Sequence, residues 1–422
     1  MKRYSAYKDS GVKWIGEIPS HWKIMSLRNF IQLVSEKNHP QETLLSVVRE
    51  QGVIVRNVES KEENHNFIPN DLSNYKLVHK GQFVINKMKA WQGSYAVSEY
   101  TGIVSPAYYT CNLRFKNKEF FNTAIRSKAY IPFFTQYSKG IRVGQWDLAP
   151  VSLKEIPFIC PPENEQDAIV RFLDDKVGKI DHLTDQTTAL IERLKELKQS
   201  VIARAVTRGL NPNVKMKPSG ISWVGEIPKH WETKRFGSIF KLKTPISAPE
   251  EELLSVFLDK GVIYASESAN RTHNASEDLT KYQLVEPTDF VMNNQQAWRG
   301  SVGVSAIKGI ISPAYHIFKL PKCYDPTYAN YLLRDRVMVN LFDTSSKGVG
   351  SIQRTLNFNW LNGGVCVIPP MNEQIEIAKY LNNISKEIDF FISKKMKEVG
   401  LLKELRQRTI SDAVTGKIKV TD

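Results

Sequence analysis

The chain is written twice. Residues 11–22 read GVKWIGEIPSHW and residues 220–231 read GISWVGEIPKHW, and further strings return in the same order at a period of about 208 residues. LLSVVREQGVI (44–54) returns as LLSVFLDKGVI (253–263), AWQGS (90–94) as AWRGS (297–301), and GIVSPAY (102–108) as GIISPAY (309–315). SKG (138–140) returns at 346–348, and PPENEQ (161–166) as PPMNEQ (369–374). A duplication on this scale requires one module to fold twice, and whatever the module does is present in two versions.

Within each copy the hydrophobic period changes at the double proline. Before it lie short β-rich runs such as LLSVV, QFVIN and YAVSEY, punctuated by Gly, Asn and Pro. After it, apolar residues recur at steps of three or four: Leu173, Val177, Ile180, Leu190, Leu194, Leu197 and Val201, interrupted by Thr184 and Thr187. The second copy places Leu381, Ile384, Ile388, Phe391, Val399, Leu402, Leu405 and Ile410 in a comparable stripe. Such narrow stripes suit a coiled coil. Pro161-Pro162 and Pro369-Pro370 suit helix starts, and Gly209 and Gly416 suit helix ends. Each helix would hold about 45 residues and span roughly 65 to 70 Å. A lone helix of that length needs a partner, and the nearest is the other copy, so an antiparallel pair is expected. The expected fold class is mixed α+β: two β-rich domains in pseudo-two-fold repeat, separated by a pair of long antiparallel coiled-coil helices. The expected boundaries are 1–160, 161–210, 211–368 and 369–416.

A formal net charge of +14 over 422 residues points to a polyanionic partner, with nucleic acid first. No apolar run approaches the roughly 20 residues that cross a bilayer. The opening MKRYSAYKDSGVKW has no secretory apolar stretch, so a cytoplasmic protein with no membrane partner is expected. The four cysteines, Cys111, Cys160, Cys323 and Cys366, have no CxxC spacing and read as buried free thiols. The motifs of self-contained chemistry do not occur: there is no glycine-rich cofactor loop, no polar-Pro-Pro-aromatic motif, no GxxxxGK[ST] and no HExxH. His21 and His230 each precede a Trp and read as packed structural residues. No catalytic or metal-ligating residue is therefore nominated.

Two loops in each β-rich domain combine amides, basic groups and an aromatic, the side chains that bind base edges and phosphates. The first is NKMKAWQGS (86–94), answered by NNQQAWRGS (293–301). Here Trp91 and Trp298 read as core, with the glycine turning a hairpin. Asn86, Lys87, Lys89, Gln92 and Ser94 are the candidate DNA contacts in the first copy. Asn293, Asn294, Gln295, Gln296, Arg299 and Ser301 are those in the second. The other loop is SKGIRVGQW (138–146) against SKGVGSIQR (346–354). It offers Lys139, Arg142, Gln145, Lys347, Gln353 and Arg354 as contacts, or else ordinary solvated loop charge. Residues 57–74 and 266–281 diverge most between the copies and are further candidates for sequence choice.

Taken together, WIGEIPxHW, GQFVINKMKAWQGSYAV, GIVSPAY and PPxNEQ, all of them repeated, resemble the specificity subunits of type I restriction-modification systems. The resemblance spans essentially the whole chain. It implies two target recognition domains, each an α/β unit reading half of a bipartite site in double-stranded DNA, held apart by helices that bind two modification subunits. It also implies a subunit with no catalysis or cofactor of its own. S-adenosylmethionine for adenine methylation would sit on the modification subunits and ATP on restriction (motor) subunits. EPTDFVMNNQQ in the second copy departs from the family's usual glycine-aspartate turn and basic residues, which the first copy partly keeps in KGQFVINKMK.

Overall fold

A computed structural model describes residues 2–57, 68–140, 146–258, 260–267, 278–349 and 353–421. The chain forms two compact units, one of residues 1–188 with 397–422 and the other of residues 189–396. Among the described residues, no helix is long and apolar enough to cross a membrane.

Unit 1 is organised by a four-stranded antiparallel sheet in the order Ile31–Val34, Tyr108–Leu113, Phe83–Asn86, Tyr95–Val97. The first three residues of its strand FVIN, Phe83, Val84 and Ile85, are all apolar because both faces are covered. Phe83 and Ile85 enter a large aromatic core with the helices Lys118–Ile125 and Ile131–Tyr137. Val84, between them, enters a smaller aliphatic core with Leu45, Val47 and Val53 of the hairpin Leu45–Val48/Gly52–Val55. Alternation along a pleated strand divides the residues in this way.

Unit 2 repeats the plan. Its sheet runs Lys241–Leu242, Tyr315–Lys319, Phe290–Asn293, Val302–Val304. Phe290 and Met292 face the large core, and Val291 faces the small one. The helices Pro326–Arg334 and Arg336–Thr344 cover the large core, their first turns capped by Asp325 and Asp335.

The motifs common to both copies turn out to be internal fasteners. Glu165 of PPENEQ accepts from Tyr4 Oη (2.7 Å) and Trp22 Nε1 (3.0 Å) and lies 2.6 Å from His21 Nε2. Burial pushes this carboxyl up, but its hydrogen-bond partners outweigh burial and hold it below the usual carboxylate range. Glu373 meets His230 and Trp231 at the same distances, 2.6 and 3.0 Å. His21 and His230 are therefore structural, as their sequence context implies.

Two long helices, Glu163–Arg208 and Met371–Val414, begin directly after the double prolines. They end at Gly209 (φ +72°) and Gly416 (φ +73°), a left-handed conformation that favours glycine. Each unit contains a stretch of both. In unit 1, Leu173 and Ala413 share a core, and Asp181 bonds Arg406 at 2.7 Å. In unit 2, Ala205 and Leu381 share a core, and Lys198 bonds Asp389 at 2.7 Å. Numbers rise along one helix as they fall along the other, so the paired stretches are antiparallel. The two ion pairs occupy the same repeat positions: Asp181 corresponds to Asp389, and Lys198 to Arg406.

The seam lies one residue away from part of the stripe expected from hydrophobicity. On the first helix the residues covered at alternating steps of four and three are Leu173, Val177, Ile180, Thr184, Thr187, Ile191, Leu194, Lys198, Val201 and Ala205. On the second they are Leu381, Ser385, Ile388, Ile392, Lys395, Val399, Leu402, Arg406, Thr409 and Ala413, with Ile384 packed on the unit 2 core. Leu190 (41% exposed), Leu197 (51%), Phe391 (53%) and Leu405 (47%) face outward, which corrects their assignment to the interface. At each of these four places the covered residue is the next one along, Ile191, Lys198, Ile392 or Arg406, about 100° around the helix. Thr184 and Thr187 are tolerated in the seam because each hydroxyl donates to the carbonyl four residues back, at 2.8 Å.

Candidate nucleic-acid interface

In unit 1 the strand Phe83–Asn86 ends at a side chain that organises the adjoining turn. Asn86 Oδ1 accepts from the backbone N–H of Met88 and of Lys89, both at 3.2 Å. The chain then makes a single 3-10 turn, Ala90–Gln92, and leaves through Gly93 at φ +96°. Trp91 Nε1 donates to the Met88 carbonyl at 3.2 Å. Unit 2 reproduces every contact. Asn293 Oδ1 accepts from Gln295 and Gln296 N–H at 3.0 and 3.2 Å, Gly300 has φ +99°, and Trp298 Nε1 donates to the Gln295 carbonyl at 3.0 Å. The recurring Asn, Trp and Gly thus build the turn, and the residues that differ are displayed on it.

The two loops nominated from sequence meet in each unit. In unit 1 the strands Ser138–Lys139 and Asp147–Leu148 pair, and Leu148 N–H donates to the Lys87 carbonyl at 3.1 Å. Trp146 packs on Trp91 with ring centroids 5.2 Å apart, and Lys87 Nζ lies 3.2 Å from Asp147. In unit 2 the hairpin Ser346–Val349/Gln353–Leu356 takes this place, with Leu356 N–H donating to Asn294 Oδ1 at 3.3 Å. Arg299 and Arg354 both lie over the Trp298 ring, 4.7 Å from its centroid. Asp343 anchors Arg354 Nη1 at 2.5 Å, and Lys347 lies over Trp360 at 4.9 Å.

Lys89, Lys139, Gln295, Arg299 and Lys347 are exposed, whereas Lys87, Gln92, Asn294, Gln296 and Arg354 are half-buried around the tryptophans. Ser94 and Ser301 are buried at 4% exposure, and Ser301 donates to the Val256 carbonyl, so neither can touch a partner directly. This corrects their nomination. The side-chain oxygens of Asn86 and Asn293 are taken up by the turn. Arg142 and Gln145 lie outside the described residues, as do the Gln353 side chain and most of segments 57–74 and 266–281. Sequence reasoning missed Trp146, Asp147 and Asp343. The repeat held the signal for the first, because Trp146 and Arg354 occupy the same repeat position.

Chemically, each unit presents a braced indole flanked by amides and cations, a surface suited to base edges and phosphates. All four cysteines are free, but only Cys111 and Cys366 are buried, Cys160 and Cys323 being half-buried; burial raises the thiols of Cys111, Cys160 and Cys366 to about 12 and pushes Cys323 up as well, so none is a ready nucleophile.

No protein-family model matches the chain. A Methanocaldococcus jannaschii protein, assigned by inference as the type I restriction enzyme MjaX specificity subunit, is 22% identical over 435 residues, 98% of each chain. The type I restriction enzyme MjaVIII specificity subunit of the same organism is 26% identical over 309 residues, 68% of each. A chain solved to explain complex assembly and conformational transition of the type I R-M system superposes with TM-score 0.66 at 14% identity, covering 95% of this chain and 99% of that one. The HsdS subunit of Thermoanaerobacter tengcongensis superposes with TM-score 0.50 at 15% identity, covering 97% and 100%. These two structures share the fold. In its repeat, its fold and its end-to-end sequence likeness, the chain resembles the specificity subunits of type I restriction-modification systems.

Proposed function

We propose that this chain is the DNA-reading, non-catalytic specificity subunit of a type I restriction-modification enzyme, each unit reading one half of a bipartite duplex site. The observation that carries the reading is the repeated Asn-Trp-Gly turn: its hydrogen bonds are identical in the two units, yet the residues around it differ in charge and amide content. One scaffold with two faces implies two unlike half-sites. In this reading, 1–160 and 211–368 are the target recognition domains, and 161–210 and 369–416 are the helical spacers that fix the gap between half-sites.

Two modification subunits, carrying S-adenosylmethionine and methylating adenine, would dock on the helices, and restriction subunits would supply the ATP-driven motor. Outward-facing Leu190, Leu197, Phe390 and Phe391 in unit 2, and Leu183, Leu401 and Leu405 in unit 1, support partner docking there, since solvated helix faces rarely carry so many large apolar residues. Likeness to known specificity subunits supports the absence of catalysis in the chain itself and a cytoplasmic location. Mapping methylated adenines in DNA modified by the assembled complex tests the reading. The expected target is split and asymmetric, and a continuous palindrome would defeat it.

A further inference from the structure

The recurring tryptophan has different company in the two units. In unit 1, Trp91 is covered by Trp146 and followed by Gln92; in unit 2, the same repeat positions around Trp298 hold Arg354 and Arg299. Both guanidiniums converge on one indole, and Asp343 fixes one end of Arg354. In unit 1, the neighbouring Lys87 is drawn to Asp147.

From this geometry we infer that Trp298, Arg299 and Arg354 form a binding platform for phosphodiesters of the DNA backbone, and that the equivalent surface of unit 1 is an aromatic stack without that role. Stacking on the indole holds each planar guanidinium in place; the exposed Arg299 presents its edge N–H groups to phosphate oxygens, and Arg354, tied to Asp343, adds positive charge on the same ring. A preorganised cation binds a phosphate with less loss of side-chain entropy than a mobile lysine. Unit 2 therefore anchors the strand through charge, and its phosphate contacts place the amides of Asn294, Gln295 and Gln296 against the bases. In unit 1 the residue packed on the indole is Trp146, and the exposed Lys89 and Lys139 supply that unit's charge as mobile lysines instead. The inference rests on the DNA-reading function proposed above and adds an electrostatic asymmetry between the two readers.

The test uses the full chain, or its complex with modification subunits, and a fluorescent mixed-sequence duplex titrated by anisotropy between about 50 and 200 mM salt. Replacing Arg299→Gln together with Arg354→Trp installs the unit 1 residues and keeps a stacking partner on Trp298. The slope of log affinity against log salt is expected to become shallower by about 1 to 2, the lower figure applying where Asp343 already neutralises Arg354, with a loss that is uniform across duplex sequences. The Arg299→Lys, Arg354→Lys pair is expected to keep the slope. If the wild type binds with salt sensitivity and the Gln/Trp variant has the same slope, the platform is refuted while DNA reading stands. A wild type that fails to bind, or binds without salt dependence, removes the functional reading instead. Should the double variant not fold, Arg299→Gln alone changes an exposed side chain, and a slope not shallower by about 1 overturns the inference.

Discussion

Adjacent positions on the first long helix offer a sharp test of how the helices pair. Ile191 is 6% exposed in the seam, and its neighbour Leu190 is 41% exposed on the outer face. Truncating either to alanine removes three carbons, so the chemistry of the change is nearly constant and the environment decides the cost. At about 0.8 kcal/mol per buried carbon plus a cavity left between packed helices, Ile191→Ala should cost about 2 to 4 kcal/mol. Leu190→Ala loses less contact and leaves no cavity, which places it at about 1 kcal/mol or less. In a unit the size of residues 189–396, each kcal/mol moves the melting temperature by about 2 to 4 °C. Thermal unfolding followed by circular dichroism should thus show a loss of roughly 5 to 15 °C for Ile191→Ala and under about 4 °C for Leu190→Ala. Equal losses, or a larger loss at Leu190, would show that the apolar stripe read from hydrophobicity is the true seam and that the reasoning from burial is mistaken.

Three further outcomes rest on particular residues. Thr288 sits at φ +74° where the first copy has Gly81 at φ +86°; relieving about 1 to 2 kcal/mol of left-handed strain, less the backbone entropy of glycine, Thr288→Gly should stabilise unit 2 by about 0.5 to 1 kcal/mol. A lower midpoint in denaturant would contradict this. Because the folded state lowers the Glu165 pKa, that carboxylate stabilises unit 1 above the usual carboxylate range, and the contribution is lost as pH falls through the lowered value. Glu165→Gln should therefore destabilise unit 1 at neutral pH by a margin that shrinks below about pH 4, and a margin constant with pH would argue otherwise. A chain ended near Asn213 keeps residues 189–213, the repeat counterparts of 397–421, and keeps both Asp181 and Lys198. It should pair with a copy of itself, and light scattering that finds only monomers over a wide concentration range would count against such pairing.

Much of the fold was legible because repetition and local rules carry it. Double prolines that open helices, glycines that close them at positive φ, and strand alternation such as Leu45 and Val47 against Ser46 act over a few residues, and the second copy repeats each signal. The candidate interface was legible only in outline. Trp91 and Trp146 are distant in sequence and meet because two separate hairpins pack together, and buried Ser94 cannot be told from an exposed serine by its neighbours in the chain.

By itself, then, the sequence determined that one module folds twice, where each long helix starts and stops, and which loops carry the differing polar groups. Tertiary structure alone decided the phase of the helix seam, the burial of Glu165 among Tyr4, His21 and Trp22, and the closure of unit 1 by residues 397–422. Periodicity fixes the spacing of a stripe but not its angle around the helix. When leucine and isoleucine lie side by side, as at Leu190 and Ile191, only the surface packed against them selects which one leaves water.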